Sequence, residues 1–276
     1  MRMVDNVPAF PASVHKILDL TSSADCSPKE LVKIIEYDPI LTIKVLKLVN
    51  SAYFGLSREV TSVGHAVVYV GINTIKNVAI SVATAGVLPK ENKAGLDMDE
   101  FWLHSLTVGV IGRLLAKKHM VLQTQQANYF VAGLLHDIGE VLFAHFTPDD
   151  YQPVVQAKQK VSAPLYKIEK KILGVTHSQL GGMVAERWQL PPDLIKAIRN
   201  HHRIDSLPEA CDLEIAISCA NHISHYLKDR QLDEYAELPE LSQVELKWLG
   251  TPLKNMIDSL ENLEEEINKA KAFISL

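Results

Sequence analysis

The sequence predicts an all-α protein, and three observations carry that prediction. Apolar residues recur at three- and four-residue spacing along nearly the whole chain. Helix start and stop signals punctuate the pattern. Period-2 alternation bounded by turn residues, the mark of a half-buried strand, is not found.

The elements follow in order. Ser27-Pro28-Lys29-Glu30 reads as a capping box with Pro at the first helical position, opening ELVKIIEYD. Asp38-Pro39 ends that helix and starts PILTIKVLKLVNSA, whose Leu41, Val45, Leu48 and Val49 share one face. Ser62 to His65 lead into AVVYVG, with Gly71 as its C-terminal cap. INTIKNVAISVATAGV follows as a further helix. The polar stretch 89–97, PKENKAGLD, is punctuated by Pro89 and Gly95 and reads as a boundary. It divides an N-terminal helical subdomain, 1–92, from a helical bundle, 93–276. In the second part the spacing predicts helices over 98–119 and 125–146. Shorter ones follow at about 148–160, 163–173, 177–188, 191–202, 212–228, 241–249 and 252–273.

Composition bounds the function. The chain has 276 residues, enough for one or two cores, and its 47% hydrophobic and 22% charged residues are those of an ordinary globular protein. No apolar run reaches the ~18–20 residues that span a bilayer, so no membrane segment is expected. MRMVDNVPAF resembles neither a signal nor a transit peptide. Cys26, Cys211 and Cys219 are odd in number and lack zinc-finger spacing, which points to a reducing, cytoplasmic compartment. The net charge of −5 argues against a nucleic-acid partner. It is split between +2 over residues 1–96 and −7 over 97–276, which fits two modules.

The segment 133–140, GLLHDIGE, places His136 and Asp137 among residues that belong in a core. Burying such groups unpaired costs roughly 2–7 kcal/mol. A metal ion would compensate. Glu100 and His104 precede the pair at i,i+4 spacing on one helix face. His177, the pair His201-His202 and Asn221 follow on later helices. A His/carboxylate set without Cys suits Fe, Mn, Co, Ni or Zn in five- or six-coordinate sites better than a closed structural zinc site.

The order of His104, His136-Asp137, His177, His201/His202 and a late Asn221 resembles the HD superfamily of metal-dependent phosphohydrolases. Within it, VPAFPASVHKILDL, LVKIIEYDPILTIKVLKLVNSAYFG, AVVYVGINTIKNVAIS and HSQLGGMVAERWQLPPDLIKAIRNHH resemble the HDOD family, over about residues 5–225. The resemblance implies an all-helical fold and a part in bacterial signalling. It makes His104, His136, Asp137, His177, His201 or His202, and Asn221 metal ligands, with Asp137 bridging two ions if two bind. Glu100 matches an extra carboxylate of some HD-GYP phosphodiesterases, relatives that hydrolyse cyclic di-GMP. His136 and Asp137 are the residues expected at the chemistry. The expected ligand is a nucleotide or other phosphoester, and a signalling protein is a second possible partner. Three departures weigh toward a non-catalytic module: Glu140 replaces the Lys of hydrolytic relatives, Asn221 replaces an Asp, and no GYP triplet follows His202.

Structural alternatives stand beside each assignment. His136-Asp137 could be a hydrogen-bonded core pair, His104 a core histidine and Glu100 a solvated first-turn acid. His177 could be a helix cap, the His201-His202 pair a complement to a helix C-terminus, and Asn221 a buried amide. His15, His65, His119, His145, His222 and His225 are assigned to packing. Trp102, Trp188 and Trp248 are expected as core anchors.

Overall fold

A computed structural model describes residues 7–22, 27–89, 91–161, 163–233 and 235–273; Cys26 and the first six residues lie outside these. Every regular element among the described residues is a helix.

The first part holds α1 (Ala12–Ser22), α2 (Pro28–Glu36), α3 (Pro39–Val49), α4 (Val63–Val70) and α5 (Ile72–Val87). The Asp38-Pro39 junction behaves as the sequence predicts. Asp38 caps α3, accepting from the Leu41 N–H at 3.0 Å and from the Ser13 hydroxyl at 2.7 Å. Ser62 caps α4 by accepting from the His65 N–H. Ser27 departs from expectation. It precedes α2, with Pro28 at the first helical position, but its side chain makes no capping bond. Asn50, without an assigned purpose in the sequence, ties the turn after α3 down. Its amide donates to the Val60 carbonyl at 2.8 Å and its Oδ1 accepts from the Val60 N–H at 2.7 Å.

The second part opens on a hairpin of α6 (Met98–Lys118) and α7 (Gln123–Leu135). Asp97 starts α6 by accepting from the Asp99 and Glu100 N–H groups. The two helices meet backbone to backbone, since a Cβ on Gly133 would lie 2.5 Å from the Gly109 nitrogen. The remaining helices are α8 (Ile138–Phe146), α9 (Pro148–Lys160), α10 (Leu165–Ile172), α11 (His177–Arg187), α12 (Pro192–Asn200), α13 (Asp212–Leu232), α14 (Gln243–Leu249), α15 (Leu253–Asp258) and α16 (Leu263–Ala270).

Two predicted helices are broken in the structure. The one over 125–146 divides into α7 and α8 at His136-Asp137, where Asp137 leaves helical geometry (φ −102°, ψ 13°). The cause is tertiary: a Cβ on Gly139 would stand 2.0 Å from the His177 carbonyl oxygen, so α8 rests directly on the start of α11. The helix over 252–273 divides into α15 and α16, with Asn262 left-handed at φ 56° before α16.

The parts share packing. Helix α5 lies against α7, and Trp188 in the second part stacks on Phe10 with ring centroids 4.5 Å apart. The Trp188 indole N–H donates to the Pro8 carbonyl. Trp188 is fully buried, as expected, but Trp102 and Trp248 are only partly so. Trp248 instead stacks on His119 and bonds Asp212. Cys211 and Cys219 are free thiols. No single helix among the described residues is long and apolar enough to cross a membrane.

Candidate metal centre

The site forms where the α6–α7 hairpin ends, at the α7–α8 break. His104 projects from α6, with Nδ1 3.1 Å from the Ser224 hydroxyl of α13. His136, fully buried, donates from Nδ1 to the Gly133 carbonyl at 2.7 Å. His177 is the first residue of α11, whose start is fixed by a reciprocal capping box between Thr176 and Gln179. His201 and His202 form the turn after α12, and His201 donates from Nδ1 to the Ile198 carbonyl at 2.9 Å.

Asp137 sits among them. Its Oδ2 is 3.3 Å from His104 Nε2 and 3.0 Å from His136 Nε2. Its Oδ1 is 3.2 Å from His177 Nε2 and 3.3 Å from His201 Nε2. The donors therefore fall into two groups that share Asp137: His104, His136 and Asp137, and Asp137, His177, His201 and His202.

The protonation pattern calls for a cation. Carbonyl oxygens only accept, so His136 and His201 carry a proton on Nδ1; a neutral ring then turns a lone pair inward at Nε2. His177 Nε2 stands 3.4 Å from His201 Nε2 and 3.1 Å from His202 Nε2. Lone pairs meet so closely only around a proton or a metal ion. Two nitrogens bound to one ion at about 2.0–2.1 Å each are about 3.0–3.4 Å apart, the spacing found here. His104 Nε2, His136 Nε2, Asp137 Oδ1 and Asn221 Oδ1 are also buried without a hydrogen-bond partner among the described residues. The residues present fit a divalent ion.

Electrostatics agree. Burial opposes the Asp137 charge, yet the surrounding imidazoles, His136 foremost, hold its carboxyl well below the usual range. Burial likewise opposes a proton on His177, but the Glu169 and Asp137 carboxylates outweigh it and raise the ring's pKa well above 6.5. Without a metal, a proton supplies the positive charge there.

Glu169 escaped the sequence reading. It is fully buried, and one carboxylate oxygen accepts both from His177 Nδ1–H at 2.7 Å and from the His177 backbone N–H at 2.8 Å. The other accepts from the Tyr151 hydroxyl at 3.0 Å. Such a carboxylate behind a histidine fixes the ring's tautomer and raises its basicity. The available signal was an acid beside Ile168 on the apolar face of LYKIEKKI.

One expected residue, Glu100, sits apart from the donor groups. Glu100 is exposed and ion-paired with Lys228 of α13, because it lies in the solvated first turn of α6. Asn221 is buried on α13, one turn before Ser224. His225, expected only to pack, stacks on His104 with centroids 4.7 Å apart.

The HDOD domain model matches residues 7–204. The chain belongs to the HDOD family. The HDOD match takes in every histidine of the two donor groups and Asp137, but ends before Asn221. Among solved structures, the fold is similar to an HDOD domain protein of unknown function from Geobacter sulfurreducens, with a TM-score of 0.78 and 25% identity over 99% of this chain and 95% of that one. It is also similar to a candidate phosphohydrolase from Shewanella amazonensis SB2B, with a TM-score of 0.77 and 25% identity over 99% and 97%. An uncharacterized protein of Treponema pallidum is 29% identical over 206 residues, 75% of this chain. The chain spans only 39% of that relative's length.

Proposed function

We propose that this HDOD protein is a regulatory protein built on a divalent metal centre able to hydrolyse a nucleotide or another phosphoester. The observation that carries the reading is Asp137, which turns one oxygen toward each of two imidazole groups. A divalent ion held there lowers the pKa of bound water toward ~7 and offsets charge on a phosphoryl oxygen. His104 and His136 serve one side, and His177, His201 and His202 the other. Asn221 offers a neutral buried oxygen without a hydrogen-bond partner among the described residues, and Glu169 keeps His177 turned inward. The likeness to the Shewanella protein supports the hydrolytic part of the proposal.

Glu140 favours a second reading, a non-catalytic signalling module that binds a partner protein or a nucleotide. Burial and the nearby Asp137 push its carboxyl well above the ordinary range. It therefore supplies no cation for a phosphate where hydrolytic relatives carry Lys.

One experiment separates the readings. Metal-loaded wild type, His136→Ala/Asp137→Ala and Glu140→Lys are assayed on phosphomonoesters, phosphodiesters and cyclic dinucleotides. The expected result is metal-dependent hydrolysis that the double substitution abolishes and Glu140→Lys increases. Bound metal without turnover on any substrate selects the signalling module.

A further inference from the structure

A cavity of about 520 Å³ opens between the two parts of the chain, with none of the clustered histidines in its lining. Its volume is that of a small-molecule site. Its chemistry is distinctive. Two helix N-termini line it, α5 through Ile72 and Asn73 and α7 through Gln123 and Thr124. Neither helix has a side-chain cap or an acidic residue in its first turn, so each presents an unneutralised positive dipole end. The guanidinium of Arg113 lines the same space, paired on one nitrogen with the Glu266 carboxylate of α16, and no carboxylate is itself among the lining residues. In a chain of net charge −5, the two helix ends make this an anion-attracting surface.

The other half of the lining suits a planar ring. Tyr53, Phe54 and Phe130 form a continuous aromatic group, with centroids 5.0–5.1 Å apart, and Arg113 lies over the Tyr53 ring at 4.6 Å. At the floor, Asn77 is 2% exposed and bonds Asn128 through its amide nitrogen. Its Oδ1 lacks a hydrogen-bond partner among the described residues. A buried acceptor left open in this way suits an N–H of a ligand edge.

The geometry points to a binding site for a nucleoside monophosphate. The phosphate meets the two helix N-termini, while the base lies against the aromatic group, which Arg113 covers at Tyr53, with its polar edge toward Asn77. This site is separate from the metal centre, yet it is built on the same hairpin. Arg113 and His104 share α6, nine residues or ~13 Å apart along the axis.

The test uses His136→Ala/Asp137→Ala protein, so that the metal centre takes no part. AMP, GMP, CMP, UMP, adenosine and inorganic phosphate are titrated by calorimetry. At least one monophosphate is expected to bind, with adenosine and phosphate each at least ten-fold weaker. Asn73→Glu and Thr124→Glu each put a carboxylate in a first helical turn, which suits the helix and opposes the ligand. Each is expected to weaken the monophosphate at least ten-fold with thermal stability kept. No binding by any monophosphate, undiminished binding by both Glu variants, or adenosine or phosphate alone binding as tightly would overturn the assignment.

Discussion

At the scale of single residues, His177 is held between two buried anions, and its behaviour follows from them. A folded pKa raised above 6.5 means that its proton stabilises the metal-free protein fully below the unfolded value. That contribution is lost as pH rises through the folded value. Metal must displace the same proton, so metal affinity is expected to increase with pH across that window. Titration with a chelator-buffered metal at several pH values reads this directly. Glu169→Gln removes the carboxylate behind His177, so the rise should move to lower pH and affinity should fall about 10–100-fold with the fold kept. Unchanged affinity would deny Glu169 its part. The imidazoles and Asp137 were legible in the sequence because their types and order are unusual. Glu169 was not, because one acid on an otherwise ordinary amphipathic helix carries no local mark of its partner eight residues on.

At the scale of elements, the helices were legible wherever the chain announces its own ends. Asp38-Pro39, Ser62 and Gly71 all mark boundaries found in the structure. The break at His136-Asp137 was hidden because Leu134, Leu135, Ile138, Val141 and Leu142 keep helical spacing straight through it. Only the crossing of α8 over α11 demands it. Gly139→Ala should therefore force these helices apart, costing about 1–3 kcal/mol or more and reducing bound metal. Urea unfolding with metal analysis measures both. Asp38 gives a separate test in the first part. Hydrogen bonds from the Leu41 N–H and the Ser13 hydroxyl keep its carboxyl below the ordinary 3.8. Its stabilisation is thus present above the unfolded pKa and lost as pH falls through the lower folded one. Asp38→Ala should cost ~1 kcal/mol at pH 7. That difference should shrink as pH falls below the ordinary 3.8; a constant difference would mean the carboxylate charge contributes nothing.

At the scale of the molecule, the two parts are tied by α5 on α7 and by Trp188 on Phe10, while the metal donors come from four separate stretches of the second part. Bringing buried lone pairs and a buried carboxylate together is unfavourable until a cation joins them. Loading the centre should accordingly stabilise the whole fold, by ~2.7 kcal/mol at a free metal concentration of 100 times Kd. A chelator should reverse the gain in a thermal unfolding scan. The most direct test of the central claim is the metal content of the purified protein by elemental analysis, for wild type and for Asp137→Ala. The account predicts one or two equivalents of Fe, Mn, Co, Ni or Zn in the wild type and a loss of most of it in the variant. Wild-type protein that takes up no divalent metal when offered it, or a variant that keeps the full complement, would contradict the account.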